Sequence, residues 1–506
     1  MKTRLALCVS LLSAAPLSAQ PDPLAGLPQW MDRTLRDWGV PGLALAVVRG
    51  DTVIYARGFG VREVGKADRV DERTLFAIGS ASKAFTAAAV GVLVDEGKVR
   101  WDDRVTEHLP SFRLYDPYTT REMTLRDLLT HRSGLARGDQ VWYGGKYDRA
   151  EIVRRVRHLQ PSWSFRSTFG YQNIMYLTAG EVIETVSGGT WDAFVKERFF
   201  TPLGMSESST STNDLRGKLN VATPHAKLDG VVRPVAWRNI DNVAPAGSIN
   251  SNVSEMAQWV RLHLADGRIG ERRIFSDSVA REARTPQMAI RHEGPWALMA
   301  PDANFLAYGL GWFMHDHGGR RIIHHGGNID GNSAMVAFIP EEKLGLVVLT
   351  NTNGTSLTSA VLHHVFDALL GIPVERDWSE RLLEERRRLD AQAEAQRRQQ
   401  DSAHVKGTSP SLALEAYAGT YSDSLYGDAT VSLEGGKLVL RYQNAFTGDL
   451  SHWHYDTFQV KWRDAIMGTA LVTFTLDEHG RPASVRTPPM EFRRVKEDAV
   501  NRRAAR

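Results

Sequence analysis

The chain has 506 residues, 42% of them apolar and 24% charged, an ordinary globular composition that excludes disorder as the default. That length exceeds one ordinary domain and calls for two or three. Net charge is only +3, with Lys and Arg interleaved among Asp and Glu, which excludes the basic excess a nucleic-acid binder uses to gather phosphates.

The first residues carry Lys2 and Arg4, then an apolar run from Leu5 to Leu12, then small residues through Ser18, Ala19 and Gln20. This is the pattern of a secretory signal peptide cut near Ala19, so residues 1–19 are expected to be removed and the mature protein to be periplasmic or secreted. Cys8 is the one cysteine and sits too early for lipid attachment. Once cleaved, the chain has neither disulfide nor thiol chemistry. No later run reaches the apolar length of a membrane span.

Leu24 to Trp38 has helical spacing and stops at Gly39, with Pro41 and Gly42 beyond. Leu43 to Val48 and Val53 to Ala56 are apolar runs joined by Arg49-Gly50-Asp51-Thr52, a hairpin signal. Thr74 to Ile78 leads into Ser80, and Ala84 to Asp95, rich in Ala, Val and Leu, reads as a buried helix ending at Gly97. Further helices are expected at 125–130, 174–185, 191–199 and 256–264. Strands return at 308–314, 321–324, 335–339 and 344–349, and 358–370 closes with a helix. The order fits an α+β fold, an antiparallel sheet flanked by helices with a helical insert, over about residues 20–372.

Composition then shifts. Residues 380–400 carry Arg386 to Arg388 and Arg397 to Gln400 among Glu and Ala, with few large apolar residues, and read as a solvated helical linker within 373–411. From Tyr417 the texture is all-β: 431–433, 438–442, 457–461 and 471–476 are short strands punctuated by Gly435-Gly436 and Gly480. A small all-β barrel is expected over 412–506.

Three common catalytic signatures are missing: the G-x-S-x-G elbow, the P-loop and H-E-x-x-H. The sixteen histidines show no metal spacing, and no cofactor is implied. The positive signal is Ser80-Ala-Ser-Lys83, placed after Gly79 where the buried helix opens. Residues three apart share a helix face, so serine and lysine can meet. A serine hydroxyl needs a base to become a nucleophile, and a lysine serves once burial and nearby cations lower its pKa. Tyr171-Gln-Asn173 follows. A tyrosine beside the lysine can relay a proton to the leaving group, and Asn173 can hold both the lysine and a substrate amide. Tyr442-Gln-Asn444 repeats this motif in the β region and reads as structural. His317-Gly318-Gly319 reads as a hairpin turn. His325-Gly326-Gly327 follows a strand, with Gly331 six residues on. A glycine there lets substrate backbone lie against the strand edge, whose amide can complete an oxyanion hole.

Ser-x-x-Lys, Tyr-x-Asn and His-x-Gly in that order resemble the penicillin-recognising serine hydrolases, in the class C β-lactamase-like branch that includes D-Ala-D-Ala carboxypeptidases, D-aminopeptidases and carboxylesterases. Residues Thr124 to Leu135, Tyr308 to Trp312 and Ala244 to Ser248 are similar to the same family, and the resemblance covers about residues 25–370. The C-terminal region, with Tyr417-Ala-Gly-Thr-Tyr421, resembles a lipocalin-like domain often appended to this branch.

The resemblance implies that Ser80 is acylated, that Lys83 and Tyr171 share proton transfer, that Asn173 positions substrate, and that backbone amides of Ser80 and Asn328 form the oxyanion hole. His325 stands where many relatives carry a lysine, and with Gly327 it borders the substrate. Class C β-lactamases favour Lys-Thr-Gly on this strand, so the departure speaks against a dedicated β-lactamase. A histidine's charge near neutral pH depends on its surroundings, so carboxylate binding here is expected to be weak and pH-dependent. The partner expected is a small-molecule or peptide acyl substrate: small esters, or D-amino-acid amides and peptides. The alternatives are a β-lactamase, a D-Ala-D-Ala carboxypeptidase, or a penicillin sensor that deacylates slowly. Nothing in the sequence sets an oligomeric state.

Overall fold

A computed structural model describes residues 22–495, so the expected signal segment and Cys8 lie outside the described residues. Helix α1 (Leu27–Trp38) ends where Gly39 takes a left-handed φ of 63°. It is followed by the hairpin β1 (Gly42–Arg49) and β2 (Thr52–Gly60). A mainly helical stretch follows. It holds α2 (Ser82–Asp95), α3 (Leu125–Leu129), α4 (Asn173–Ser187) and α5 (Val253–Leu264). The chain then returns to the sheet through β3 (Met288–Ala289), β4 (Leu306–Tyr308), β5 (Phe313–His317), β6 (Arg320–Ile329), β7 (Asn332–Ile339) and β8 (Leu344–Thr350). The sheet is antiparallel, in the order β2-β1-β8-β7-β6-β5-β4-β3.

Strand β1 shows why both faces are covered. Leu43, Leu45 and Val47 point into a cluster with α1 and with α6 (Leu357–Leu370), while Ala44, Ala46 and Val48 point into the core built on α2, α4 and α5. A strand buried on both sides reads as a continuous apolar run, and successive side chains divide between the two cores. Helix α2 lies deeper still: every residue from Ser82 to Leu93 is buried, so it is apolar all round rather than amphipathic.

Helix α7 (Trp378–Ser402) docks only its first turns, through Trp378 and Leu382; residues 391–403 are exposed throughout. Beyond it, eight strands from Gly419–Asp423 to Met490–Arg494 close into an antiparallel barrel. Its interior is filled by aromatics including Tyr421, Tyr442, Phe458, Phe474 and Phe492. The α+β body and the small barrel are those read from the sequence. Among the described residues no helix is long and apolar enough to cross a membrane.

The strand expected over 308–314 is instead two strands folded back at Gly309–Trp312. Gly311 adopts φ +79° there, and a Cβ on it would crowd the backbone of α2 at Lys83 and Ala84, so the glycine lets this turn touch α2. His325 does not follow a strand but lies within one, opposite Val336. Gly331 is not at a substrate edge; with φ +76° it occupies the turn into β7, against Pro224 and His225. Gly318 and Gly319, φ 54° and 75°, make the expected hairpin turn.

The second Tyr-Gln-Asn copy lies on the seam between barrel and body. Tyr442 donates its hydroxyl to Gln140 O, Gln443 Oε1 accepts the Lys146 amide at 3.0 Å, and the Asn444 and Ala445 amides reach Gly144 O at 3.2 and 3.1 Å. Limited proteolysis is expected to cut first between about residues 391 and 412, where chain is exposed, and the two products to co-elute through this seam. A first cut inside α2, read by mass spectrometry, would contradict this layout.

Candidate active site

Gly79, with φ +51°, turns the chain from a short strand into a single 3-10 turn and then α2. A Cβ there would lie 2.8 Å from Asn328 N, and one on Gly327 only 1.8 Å from Ile78 O and 2.9 Å from Ser80 N. Two glycines therefore let the segment carrying Ser80 lie directly on the free edge of β6, exposed where β5 pairing stops at Phe313 and His324. The Ser80 and Asn328 amides are neighbours by that contact. The Asn328 side chain turns elsewhere, its Oδ1 accepting from Ser333 Oγ at 2.6 Å and from the Gly354 amide at 3.0 Å.

Ser80 is half-buried and Lys83 wholly buried. Lys83 Nζ lies 3.1 Å from Ser80 Oγ, 2.7 Å from Asn173 Oδ1 and 2.7 Å from Ala246 O. The last partner belongs to the Ala244–Ser248 segment. Burial holds the amine well below 10.5, the Arg137 charge pushes further down, and Asp139 opposes. The Asn173 and Ala246 oxygens accept from Nζ, and the Ser80 hydroxyl is its third polar neighbour.

At its other end, Asn173 Nδ2 donates to Asp139 Oδ1 at 2.9 Å. Asp139 also accepts from Trp142 Nε1 at 2.8 Å and from Arg137 Nε at 2.5 Å.

Tyr171 is half-buried, its ring 4.8 Å from Lys83 Nζ. Burial raises its pKa, while contact with the Ser80 hydroxyl and the Arg137 charge oppose, so the phenol stays protonated at neutral pH. His131 holds it from both sides. His131 O accepts the Gly170 amide at 2.8 Å, its Nδ1 accepts the Gln172 amide at 3.0 Å, and its ring lies 4.2 Å from the Tyr171 ring. Nδ1 as acceptor puts the proton on Nε2, which is buried and has no hydrogen-bond partner among the described residues. Burial above all holds His131 well below 6.5, and the Arg137 charge adds to it.

His325 corrects a sequence expectation. Its Nδ1 lies 2.6 Å from Gly326 O and so donates, and its Nε2 accepts from the Tyr308 hydroxyl at 3.0 Å. Both nitrogens are taken, and burial, then Lys83, holds the ring well below 6.5 despite the Gly326 carbonyl. It carries no positive charge in the neutral range, so a pH-dependent carboxylate site at His325 is not what the fold builds. The hairpin that hid in the single-strand reading brings Tyr308 to it.

Sequence reasoning thus missed His131, Asp139, Arg137 and the Ala246 carbonyl. His131 lay inside the Thr124–Leu135 segment, which marked resemblance but no role. Among the described residues no group of His, Cys, Asp or Glu is placed to hold a metal.

The sheet, the buried helix and the Ser80, Lys83, Tyr171 cluster define a hydrolase of β-lactamase fold. The chain belongs to the Beta-lactamase family, whose model matches residues 27–369. Residues 403–502 match a second model described only as a domain of unknown function, DUF3471. The unguisins hydrolase ungD of Aspergillus violaceofuscus is 30% identical over 445 residues, 82% of this chain and 78% of that one. Penicillin-binding protein 4 of Amycolatopsis lactamdurans is 32% identical over 340 residues, 66% of this chain and 85% of that one. The octameric penicillin-binding protein homologue from Pyrococcus abyssi superposes with a TM-score of 0.62 at 22% identity, covering 94% of this chain and 100% of that one. A D-stereospecific amidohydrolase from Streptomyces sp. gives 0.56 at 23% identity, covering 70% and 100%. These structures speak to the fold alone.

His131→Ala removes the acceptor on Gln172 and the wall behind Tyr171. It is expected to lower kcat for an activated ester by about 10- to 100-fold, because small misplacement of a proton donor is expensive. Unchanged kcat in a variant with wild-type circular dichroism would exclude the bracketing role.

Proposed function

We propose that the protein is an exported serine hydrolase that forms an acyl-enzyme on Ser80 and cleaves small esters or D-amino-acid amides and peptides. The observation that carries this is the buried Lys83 Nζ at 3.1 Å from Ser80 Oγ, with burial holding its pKa below the ordinary lysine range; on this reading its neutral form takes the Ser80 proton. The Ser80 oxygen attacks the substrate carbonyl while its proton passes to Lys83 Nζ. The tetrahedral oxyanion is received by the Ser80 and Asn328 amides. The carbonyl–leaving-group bond breaks, and the proton moves from Lys83 through the Tyr171 hydroxyl to the departing nitrogen or oxygen. Water then attacks the acyl-enzyme, gives a proton back along the same route, and releases the acid and free Ser80.

The name of one relative, a hydrolase of unguisins, supports hydrolysis as the reaction. The basic start and short apolar run of residues 1–19 support export, and an exported protein beginning at Met1 on N-terminal sequencing would exclude it. A tethered β-lactam leaving group blocks the water that must approach the acyl-enzyme, and His325 supplies no charge for its carboxylate. Penicillins are therefore expected to be poor substrates, and a far higher kcat/KM for nitrocefin than for p-nitrophenyl butyrate would reverse this reading.

A fluorophosphonate is expected to add once to the wild-type protein by intact mass and not at all to Ser80→Ala. An equal adduct on Ser80→Ala would remove Ser80 as nucleophile. The pH profile tests Lys83. Its protonated form cannot accept the Ser80 proton, so kcat/KM should fall as pH drops through the depressed Lys83 pKa. Asp139 raises that pKa, so Asp139→Asn should move the acidic limb to lower pH whatever it does to the plateau. A limb that moves upward contradicts the assignment.

A further inference from the structure

Where β6 borders Ser80, from His325 to Asn328, it offers no cation. His325 occupies the position, with one ring nitrogen donating to Gly326 O and the other accepting from Tyr308. Lys83 is buried and its donors are committed to Asn173 and Ala246. A different cation stands at the mouth. The Arg137 guanidinium carbon lies 4.9 Å from the centre of the Tyr171 ring, and the side chain is 57% exposed.

Its placement is not that of a loose surface arginine. Nε is tethered to Asp139, and Asp139 is itself fixed by Asn173 and Trp142. The Asp139 carboxylate thus takes donors from three directions and draws on only one edge of the guanidinium. The two terminal nitrogens make no hydrogen bond among the described residues. They form the end-on fork that matches a carboxylate with two parallel bonds. The fork is stacked on the residue assigned above to protonate the leaving group, so an anion held there belongs to the leaving half of the substrate.

We propose that Arg137 binds a carboxylate on the leaving group, which directs the enzyme to acyl-amino acids and peptides that end in a free carboxylate. The fork supplies the charge that His325 does not provide. This rests on the proposed role of Tyr171, but the first test needs no turnover.

Binding of N-acetyl-D-alanyl-D-alanine and of its C-terminal amide is measured by calorimetry on Ser80→Ala, and again on Ser80→Ala with Arg137→Gln. The free acid is expected to bind about tenfold more tightly than the amide, and that preference is expected to disappear with Arg137→Gln, as for a charge-assisted bidentate pair. Equal affinity of acid and amide on Ser80→Ala, or a preference that survives Arg137→Gln, overturns the proposal. The second measurement is kinetic, on Ser80-intact protein, with benzoylglycyl thioglycolate and the same thioester amidated at its carboxylate. The acid-to-amide ratio of kcat/KM should fall about tenfold in Arg137→Gln and be partly restored in Arg137→Lys, which keeps the charge but loses the fork. A purely structural role through Asp139 would lower both substrates together and leave the ratio unchanged. Binding preference with no turnover of either thioester would instead remove the acyl-enzyme reading and leave the anion site standing.

Discussion

The buried Lys83 amine is the constraint around which the rest of the body is arranged. Burial without a paired carboxylate disfavours the ammonium and so lowers the pKa of the group. Its position is set by the two oxygens that accept from Nζ. One is the carbonyl of Ala246, on a segment packed beside α2. The other is Asn173 Oδ1, at the start of α4, whose amide is itself fixed by Asp139. The small residues of α2 follow from the same need, since Gly311 and the Ala244–Ser248 segment must approach its backbone closely.

Asp139 ties this centre to the barrel. It belongs to a loop whose other side is gripped at Gln140, Gly144 and Lys146 by Tyr442, Gln443, Asn444 and Ala445. A Cβ on Gly144 would collide with Ala445, so the two segments meet at backbone distance. Arg155 and Arg238 add contacts to Ser424 O and Asp464. The loop that orients Asn173 is therefore held from both bodies. The barrel interior is packed with aromatic side chains, so its chemistry toward the site runs through this outer seam.

Ser80 and Lys83 were legible because a three-residue spacing at the mouth of an all-round apolar helix has one geometric meaning. The hairpin of β1 and β2, the helices and the barrel strands were legible from period and turn residues. Ala246 was not, because it acts through a backbone carbonyl that any residue type supplies, and His131 was not, because only the folded chain sets its ring against Tyr171. Arg137 and Asp139 were not, because a charged pair two residues apart on a loop looks like solvent-exposed chain until folding lays it across Tyr171. The His325 charge state was hidden for a different reason. It depends on Tyr308, and a periodic apolar run over 308–314 concealed the turn at Gly309–Trp312 that presents the hydroxyl.

The most direct test of the neutral Lys83 amine is a pH titration by carbon NMR with lysine labelled at Cε, using Lys83→Met to assign the signal. The account predicts that the signal lost in Lys83→Met titrates well below its fellows, which should change near the ordinary value of about 10.4. If Lys83 titrates together with the others, the amine is an ordinary ammonium at neutral pH, and it cannot be the base that takes the Ser80 proton.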